Sequence, residues 1–214
     1  MTDLAHATDE QLALRCQEGS LEAFEELMAR HEGRLFHFLC QKMRSREDAE
    51  DVAQKTFITA WQRIHQYRTK AAFATWLYTI ARNFAISHFR KHGKVTQCNL
   101  ESVGEELVQS QTPADELLRD EQHADLWRVA RATLKDDSFD IIWLRYQEHH
   151  SIAEISRVVS RPETTVKVKL HRARKALARA LESEEEATAP HQTGQATKPA
   201  KNEMTLTEGI PCSA

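Results

Sequence analysis

Glycine and proline are scarce in this chain, whose 214 residues include only 6 Gly and 5 Pro. Sandwiches and barrels join many short strands through turns that use these residues, so the scarcity argues against both. The hydrophobic content of 41% is still sufficient for compact helical cores, and the length allows one large domain or two small ones. We therefore predict an all-α protein.

Cysteine pairs and long apolar runs are also lacking. None of the 4 cysteines forms a CxxC pair, and the chain has neither a signal peptide nor a segment apolar enough to cross a membrane. We expect a soluble protein of a reducing cytoplasm, without membrane insertion. His37 with Cys40, or His149 with His150, could suggest a metal. No second ligand pair accompanies them, so we expect structural roles, no metal and no cofactor.

An overall positive charge is missing as well, because the formal net charge is -3 and the pI is about 6.4. A protein that coats nucleic acid in general is therefore excluded, and any DNA-binding surface must be local. Residues 161–181 provide such a surface, since Glu163 is their single acid. Their cations are Arg161, Lys167, Lys169, Arg172, Arg174, Lys175 and Arg179.

Residues 151–181 have the pattern of a helix-turn-helix. Ser151 and Glu154 form a capping box that begins a helix through Val159, and 160–162 interrupt it. A longer helix follows from Glu163. Its apolar stripe is Val166, Leu170, Ala173, Leu177 and Leu181. A basic amphipathic helix is more often a solvated surface than a DNA-binding element. A solvated face usually mixes Glu with Lys, however, so the nearly uniform charge favours DNA binding.

The segments before this motif alternate between helical patterns and breaks. Thr8 with Gln11 caps a helix to about Glu18, a second helix begins at Leu21 and could bend at Gly33, and Ser45–Asp48 is a further capping box. That third helix is expected to run to about Tyr67, and a polar loop occupies 68–72. The predicted buried side of the third helix is Ala49, Val52, Ala53, Thr56, Phe57, Ala60 and Ile64.

The helix predicted over about 72–92 is rich in aromatic residues and cations. Aromatic rings can stack on unpaired bases while cations hold the phosphates. Core positions are the other interpretation, which composition favours for Leu77, Ile80, Ala81 and Phe84. Trp76, Tyr78 and Arg82 stay undecided on this pattern alone.

Periodicity is lost over 93–112, which we interpret as a flexible linker. Helical patterns resume over 113–134, and Phe139, Ile142, Trp143 and Tyr146 mark another helix. The predicted organisation is two small helical domains, 1–92 and 113–183, followed by a disordered tail over 184–214 that has too few large apolar groups to order itself.

Three motifs in this order resemble the extracytoplasmic function (ECF) sigma factors of bacterial RNA polymerase, over about residues 9–181. DAEDVAQKTFITAW (48–61) is similar to the sigma domain 2 helix that docks on the beta-prime clamp helices. FATWLYTIARNFAISHFRK (73–91) resembles the helix that melts and recognises the minus-ten element. SIAEISRVVSRPETTVKVKLHRARKAL (151–177) resembles the domain 4 motif that recognises the minus-thirty-five element.

The resemblance implies a function in transcription initiation, with core polymerase (clamp helices and beta flap) and promoter DNA as partners and a possible anti-sigma factor. It implies core docking by Asp48, Asp51, Gln54 and Phe57. It implies minus-ten contacts by Arg68, Thr69, Lys70, Trp76, Arg82, Asn83 and Arg90, with a flipped base received by the 68–72 loop. It implies minus-thirty-five contacts by Glu163, Thr164, Lys167, Val168, His171 and Arg172.

The sequence departs from the family pattern at Thr164, where Gly is usual, at Val168, where Ser is common, and at Ser87, where Asp is frequent. Val168 cannot donate a hydrogen bond, so any base contact there is apolar, as to a thymine methyl. These departures bear on the promoter sequence.

Other functions explain less of the chain. A stand-alone helix-turn-helix regulator accounts for 151–181 but leaves 48–91 as core alone. A helical adaptor for an acidic partner leaves the aromatic, basic helix unexplained. An enzyme is remote, because the chain has no phosphate-binding glycine loop, nucleophile elbow or metal-ligand cluster.

Overall fold

The computed structural model describes residues 4–43, 45–92 and 126–188. Every regular element in these ranges is a helix, so the predicted all-α fold is confirmed for them. The predicted linker (93–112) and the tail beyond 188 lie outside the described residues.

The helices form an N-terminal half and a C-terminal half. A 3-10 turn at Leu4–His6 precedes the N-terminal half, which consists of α1 (Asp9–Gln17), α2 (Leu21–Cys40), α3 (Arg46–Arg63), a 3-10 turn (Ile64–Gln66) and α4 (Phe73–His92). The C-terminal half consists of α5 (described over 126–133), α6 (Asp136–Tyr146), α7 (Ile152–Val159) and α8 (Glu163–Thr188).

Local capping residues set the beginnings of the first helices. The predicted Thr8–Gln11 box is confirmed, since Thr8 Oγ1 accepts the Gln11 N–H at 3.3 Å and Gln11 Oε1 accepts the Thr8 N–H at 2.9 Å. Ser45 caps α3 by accepting the Asp48 N–H at 3.1 Å. The Asp48 carboxylate instead lies 3.2 Å from His88 Nε2 of α4, so α3 and α4 are joined at this end.

Two helix ends differ from the expectations. α3 ends at Arg63, before the predicted end at about Tyr67, and the chain continues as the 3-10 turn to the 68–72 loop. α8 runs to Thr188, so the prediction of disorder from 184 is wrong over 184–188. The sequence there is EEEAT, in which Glu and Ala favour helix without needing a buried face. α2 continues through Gly33 without interruption.

The N-terminal half is built around apolar side chains of α1 to α4. Phe38 of α2 is fully buried and meets Tyr78 of α4 edge-on at 5.3 Å, and Tyr67 meets Phe73 in the same way at 5.7 Å. The predicted inner face of α3 is confirmed as buried at Ala49, Val52, Ala53, Thr56, Phe57, Ala60 and Ile64. Each large side chain buried in this way contributes about 1.5–3 kcal/mol of transfer free energy.

Aromatic rings also form the centre of the core of the C-terminal half, and they contact the N-terminal half. Trp127 of α5 lies 4.5 Å from Trp143 of α6, ring centre to ring centre. Trp143 in turn contacts Phe38 of α2 at 6.1 Å. The core is therefore continuous between the halves, and α7 packs along α4.

Candidate nucleic-acid interface

The turn between α7 and α8 is closed by backbone and side-chain hydrogen bonds. Ser160 ends α7 in the left-handed conformation, with φ of 52°. The Arg161 N–H donates to the Ser156 carbonyl at 3.1 Å, and Ser156 Oγ donates to the Arg161 carbonyl at 2.6 Å. Pro162 follows, and α8 begins at Glu163 as predicted. This reversal fixes the angle at which α8 leaves α7.

The capping box predicted at the start of α7 is confirmed. Ser151 Oγ accepts the Glu154 N–H at 3.2 Å, and Glu154 Oε2 accepts the Ser151 N–H at 2.8 Å. The inner faces of the two helices meet in a small apolar core of Ile155, Val158, Val159, Val166, Leu170 and Ala173. The helix-turn-helix is therefore braced from within, and its outer face is free for contacts.

The six side chains predicted for the minus-thirty-five element lie exposed on the outer face of α8. They are Glu163, Thr164, Lys167, Val168, His171 and Arg172. Their spacing of three and four residues puts them on one side of the helix. The face combines cationic donors with one apolar side chain, Val168, which is 49% exposed. Such a mixture can donate to base edges and contact a thymine methyl.

Hydrogen bonds that the sequence did not predict hold the backbone at the two ends of the 68–72 loop. Gln17 Nε2 of α1 donates to the carbonyls of Ile64 at 2.8 Å and Tyr67 at 3.0 Å. The Tyr67 hydroxyl donates to the Ala71 carbonyl at 2.7 Å, and burial raises the pKa of Tyr67 to about 12. The backbone of the loop is thus fixed at both ends. The Arg68 guanidinium donates to the carbonyls of His65 at 3.1 Å and Tyr67 at 3.3 Å, and the Thr69 and Lys70 side chains are exposed.

The loop and α4 present several of the predicted minus-ten residues to solvent. Those that are exposed are Arg68, Thr69, Lys70, Asn83 and Arg90. Trp76 is half-buried and packs against Tyr67 at 5.5 Å and Phe73 at 5.8 Å. Its ring is therefore fixed by the core with one part uncovered.

Arg82 does not face solvent, which corrects its predicted role in DNA contact. It is 7% exposed, and its Nε donates to Asp140 Oδ2 at 2.8 Å while its Nη2 donates to Asp137 Oδ1 at 2.6 Å. Both aspartates belong to α6, in the C-terminal half. In this arrangement the guanidinium joins the two halves and is not available to a phosphate. Tyr78, left undecided by the sequence, is buried, and burial raises its pKa well above the ordinary value.

The predicted docking face of α3 needs a second correction. Gln54 is exposed, Asp51 is partly exposed and pairs with Lys55, and Asp48 is partly exposed beside His88. Phe57, however, is only 6% exposed, because it points into the core with Val52 and Ala60. The apolar side chain on the exposed face is the next residue, Ile58, which is 50% exposed.

A cluster of charges lies between the halves and is named here the Asp137 cluster. It consists of Asp137, Asp140, Lys42, Arg82, Lys169 and Arg161. Asp137 Oδ1 accepts from Arg82, while its Oδ2 lies 2.8 Å from Lys169 Nζ and 3.6 Å from Arg161 Nη2. Burial alone would raise the pKa of the Asp137 carboxyl, but the hydrogen bond from Lys169 and the surrounding cations hold it below its ordinary value.

Asp140 anchors the buried end of the cluster. It forms an ion pair with Lys42, which follows α2, as well as with Arg82, and the side chains of Lys42 and Asp140 are each 2% exposed. Charges buried this deeply persist only when they are paired. A further polar contact joins the halves nearby, since Arg157 Nη1 of α7 donates to the Lys70 carbonyl at 3.3 Å.

No local pattern in the sequence indicates these bridging residues. Asp136 and Asp137 look like ordinary first-turn acids that favour a helix dipole. Helical periodicity could have predicted that Ile58 belongs to the docking face, because it lies four residues after Gln54 and therefore on the same side of the helix. Among the described residues, no group of three or more His, Cys, Asp and Glu side chains could hold a metal ion. None of the helices in those ranges is both long and apolar enough to span a bilayer.

Comparison with known proteins agrees with the two-part architecture. The family model of Sigma-70 region 2 matches residues 27–95, and that of Sigma-70 region 4 matches residues 128–177. The RNA polymerase sigma-H factor of Pseudomonas aeruginosa is 31% identical over 84% of this chain and 96% of its own length. The ECF RNA polymerase sigma-E factor of Haemophilus influenzae is 33% identical over 78% of this chain and 92% of its own.

The fold is also found in a solved structure, that of the sigma factor RpoE in complex with the anti-sigma factor NepR from Bartonella quintana. It superposes with a TM-score of 0.60 at 20% identity, over 76% of this chain and 98% of the other. Because both sigma-70 regions match in order and relatives align over nearly their whole length, this chain belongs to the ECF RNA polymerase sigma factors, which are transcription initiation factors.

Proposed function

We propose that this sigma factor brings core RNA polymerase to its promoters through three surfaces: α3 for the polymerase, the 68–72 loop with α4 for the minus-ten element, and α8 for the minus-thirty-five element. The observation that carries the proposal is the exposure of all six predicted residues on the outer face of α8. A helix braced from within and cationic on its free face is suited to the major groove.

The α8 surface divides its contacts between bases and phosphates. Lys167, His171 and Arg172 carry donors on the free face, and Thr164 adds a hydroxyl near the beginning of the helix. Arg174, Lys175 and Arg179 are also exposed and lie farther along α8, beyond the six predicted residues, and we assign them to phosphates. Val168 contributes an apolar contact.

The minus-ten surface captures an unpaired base. Arg68 and Lys70 supply positive charge in a loop whose backbone is fixed by Gln17 and Tyr67. Trp76 offers the uncovered part of an immobilised ring, and a base stacked on an aromatic side chain gains about 1–3 kcal/mol, which offsets the cost of unstacking it from the duplex. Asn83 and Arg90 extend this surface along α4.

The polymerase-docking surface consists of Asp48, Asp51 and Gln54, with Ile58 in the place first given to Phe57. A half-exposed isoleucine between polar side chains is the composition expected of a protein interface, where an apolar centre is surrounded by a polar rim. The polymerase would supply all the chemistry, so we propose no catalytic activity for the chain itself.

We place the factor in the bacterial cytoplasm, where core polymerase acts, with residues 1–92 and 113–183 as its functional units. Regulation by an anti-sigma factor is supported by the solved relative, which is described as a complex with one. The genes controlled would respond to stress or another signal that this partner senses.

Mixing the full chain with bacterial core polymerase and following the mixture by size exclusion tests the proposal. We expect a one-to-one complex that transcribes from a subset of genomic fragments. Asp51→Ala should weaken the complex, whereas Glu22→Ala, which removes an exposed carboxylate from α2, should not. A chain that stays free of core but binds duplex DNA tightly would be a stand-alone helix-turn-helix regulator instead.

A further inference from the structure

The half that carries the proposed minus-ten surface is joined to the half that carries the proposed minus-thirty-five surface in this structure. α7 packs along α4, and Arg157 contacts the backbone of Lys70 within the 68–72 loop. The outer face of α8 remains exposed, but Arg161 and Lys169, on either side of its beginning, are turned toward Asp137.

The cations held by Asp137 come from the elements proposed to contact DNA. Arg82 comes from the helix proposed for the minus-ten element, and Arg161 and Lys169 come from the helix-turn-helix. A single carboxylate therefore accepts from both DNA-binding halves, with one oxygen toward each. Its distances of 2.6 Å to Arg82 and 2.8 Å to Lys169 are those of charge-assisted hydrogen bonds, which phosphate oxygens also form.

We propose that Asp137 acts as an internal substitute for a DNA phosphate, which keeps the free chain closed and its phosphate-binding cations occupied until core polymerase separates the halves. The inference rests on the proposed promoter surfaces. Asp140 contributes to the closed arrangement, because it pairs with Arg82 and Lys42 in a buried position. From that position, Arg82 also contacts Asp137.

The closed cluster predicts a particular dependence of DNA binding on salt. Each phosphate contact contributes about 0.9 to the slope of log affinity against log salt concentration. Removing the Asp137 charge frees Lys169 and Arg161, while Asp140 still holds Arg82, so the slope for duplex DNA should become steeper by about 1–2. Loss of a carboxylate elsewhere raises affinity slightly but adds no new phosphate contact.

Binding of the full-length chain, without core polymerase, to a fluorescent duplex of random sequence is measured from low to moderate salt. We expect a steeper slope for Asp137→Asn and an unchanged one for Asp136→Asn, which removes the neighbouring carboxylate. Asp136 is a matched control because it pairs with Arg131 at 2.8 Å, inside the C-terminal half. Asp137→Glu, which retains the charge, should resemble the natural chain. Equal slopes for Asp137→Asn and Asp136→Asn would overturn the proposal.

A second measurement needs no substitution and is therefore independent of any loss of stability in Asp137→Asn. In the closed arrangement, Lys169 and Lys42 should be acetylated more slowly than the exposed Lys167 and Lys175 when the natural chain is treated with an amine-reactive ester. Equal rates at all four lysines would contradict closure. Complex formation with core is measured in parallel: its absence in the natural chain rejects the proposed function, while its presence with equal salt slopes rejects only the role of Asp137.

Discussion

Arg82 of α4 donates to Asp140 of α6 at 2.8 Å, across the boundary between the two halves and over 58 residues of sequence. Both side chains are buried, and the same guanidinium reaches Asp137. The helix proposed to melt the promoter is therefore tied to the half that carries the helix-turn-helix. If core polymerase separates the halves as proposed, these ion pairs break and polymerase or DNA must replace them.

Arg82→Ala should destabilise the free chain. Removing the guanidinium leaves Asp140 with Lys42 as its remaining partner, and the lost charge-assisted bonds cost about 2 kcal/mol of unfolding free energy. Urea unfolding monitored by circular dichroism measures this loss. Arg90→Ala is the control, since Arg90 is exposed on the same helix, and its unfolding free energy should change by under about 0.5 kcal/mol. An equal effect of the two substitutions would contradict the structural role of Arg82.

Features determined by nearby residues could be predicted from the sequence. The boxes Thr8–Gln11 and Ser151–Glu154 depend on side chains three residues apart, and both form as expected. The outer face of α8 follows from helical periodicity, because the positions opposite a buried stripe must be exposed.

Features that depend on residues distant in the sequence could not be predicted from the sequence. Nothing near Arg82 in sequence indicates that its partners are Asp137 and Asp140, and a cation among aromatic residues fits a DNA-binding helix equally well. Phe57 was assigned both to the core and to the docking face, and only the packed structure separates it from Ile58. Pairings over such separations depend on how whole helices pack, which no local pattern encodes.

The neighbours Phe57 and Ile58 should respond oppositely to truncation. Phe57→Ala removes a buried ring, and we expect a loss of about 3–5 kcal/mol in unfolding free energy. Ile58→Ala removes a half-exposed side chain, so stability should hardly change while affinity for core polymerase falls. Thermal unfolding and core binding are measured for both variants. Normal core affinity of a folded Ile58→Ala chain would remove Ile58 from the docking surface.

Arg172→Ala should weaken recognition of the upstream promoter element. Arg172 is exposed on the outer face of α8, and a bidentate contact to a base is worth about 1–3 kcal/mol. Holoenzyme affinity is compared on the natural promoter and on one with the upstream element scrambled. Arg174→Ala, at an exposed position that we assign to phosphate, should lower both affinities alike. If Arg172→Ala also lowers both alike, Arg172 contacts phosphate rather than a base.

Ser160→Gly should stabilise the C-terminal half. Ser160 has φ of 52°, a left-handed conformation that is unfavourable for residues with a Cβ atom and that glycine adopts freely. The relief of strain exceeds the added entropy of the unfolded chain, for a net gain of roughly 1 kcal/mol. Thermal unfolding measures the gain. Ser160→Ala keeps the Cβ atom and should bring none, so equal stabilisation by both substitutions would show that the backbone conformation is not the cause.

Alkaline pH should lower the free energy of unfolding through Tyr67, whose hydroxyl holds the 68–72 loop. Burial raises the pKa of Tyr67 to about 12, whereas an unfolded tyrosine has a pKa of about 10. Below about pH 10 the hydroxyl is neutral in both states and its contribution is fully present; between about pH 10 and 12 the unfolded chain ionises first, so stability falls as pH rises. Tyr67→Phe removes this decline, although at neutral pH it loses the bond to the Ala71 carbonyl, worth about 1 kcal/mol.

Urea unfolding at pH 9 and pH 11, with the natural chain and Tyr67→Phe compared at each pH, separates these two effects. The difference in unfolding free energy that favours the natural chain at pH 9 should shrink or reverse at pH 11, because only the natural chain must keep a buried hydroxyl protonated. Tyr146→Phe is the matched control, since Tyr146 is 48% exposed. A constant difference between the natural chain and Tyr67→Phe would mean that Tyr67 ionises as readily in the folded chain as in the unfolded one, and that its burial does not hold the loop.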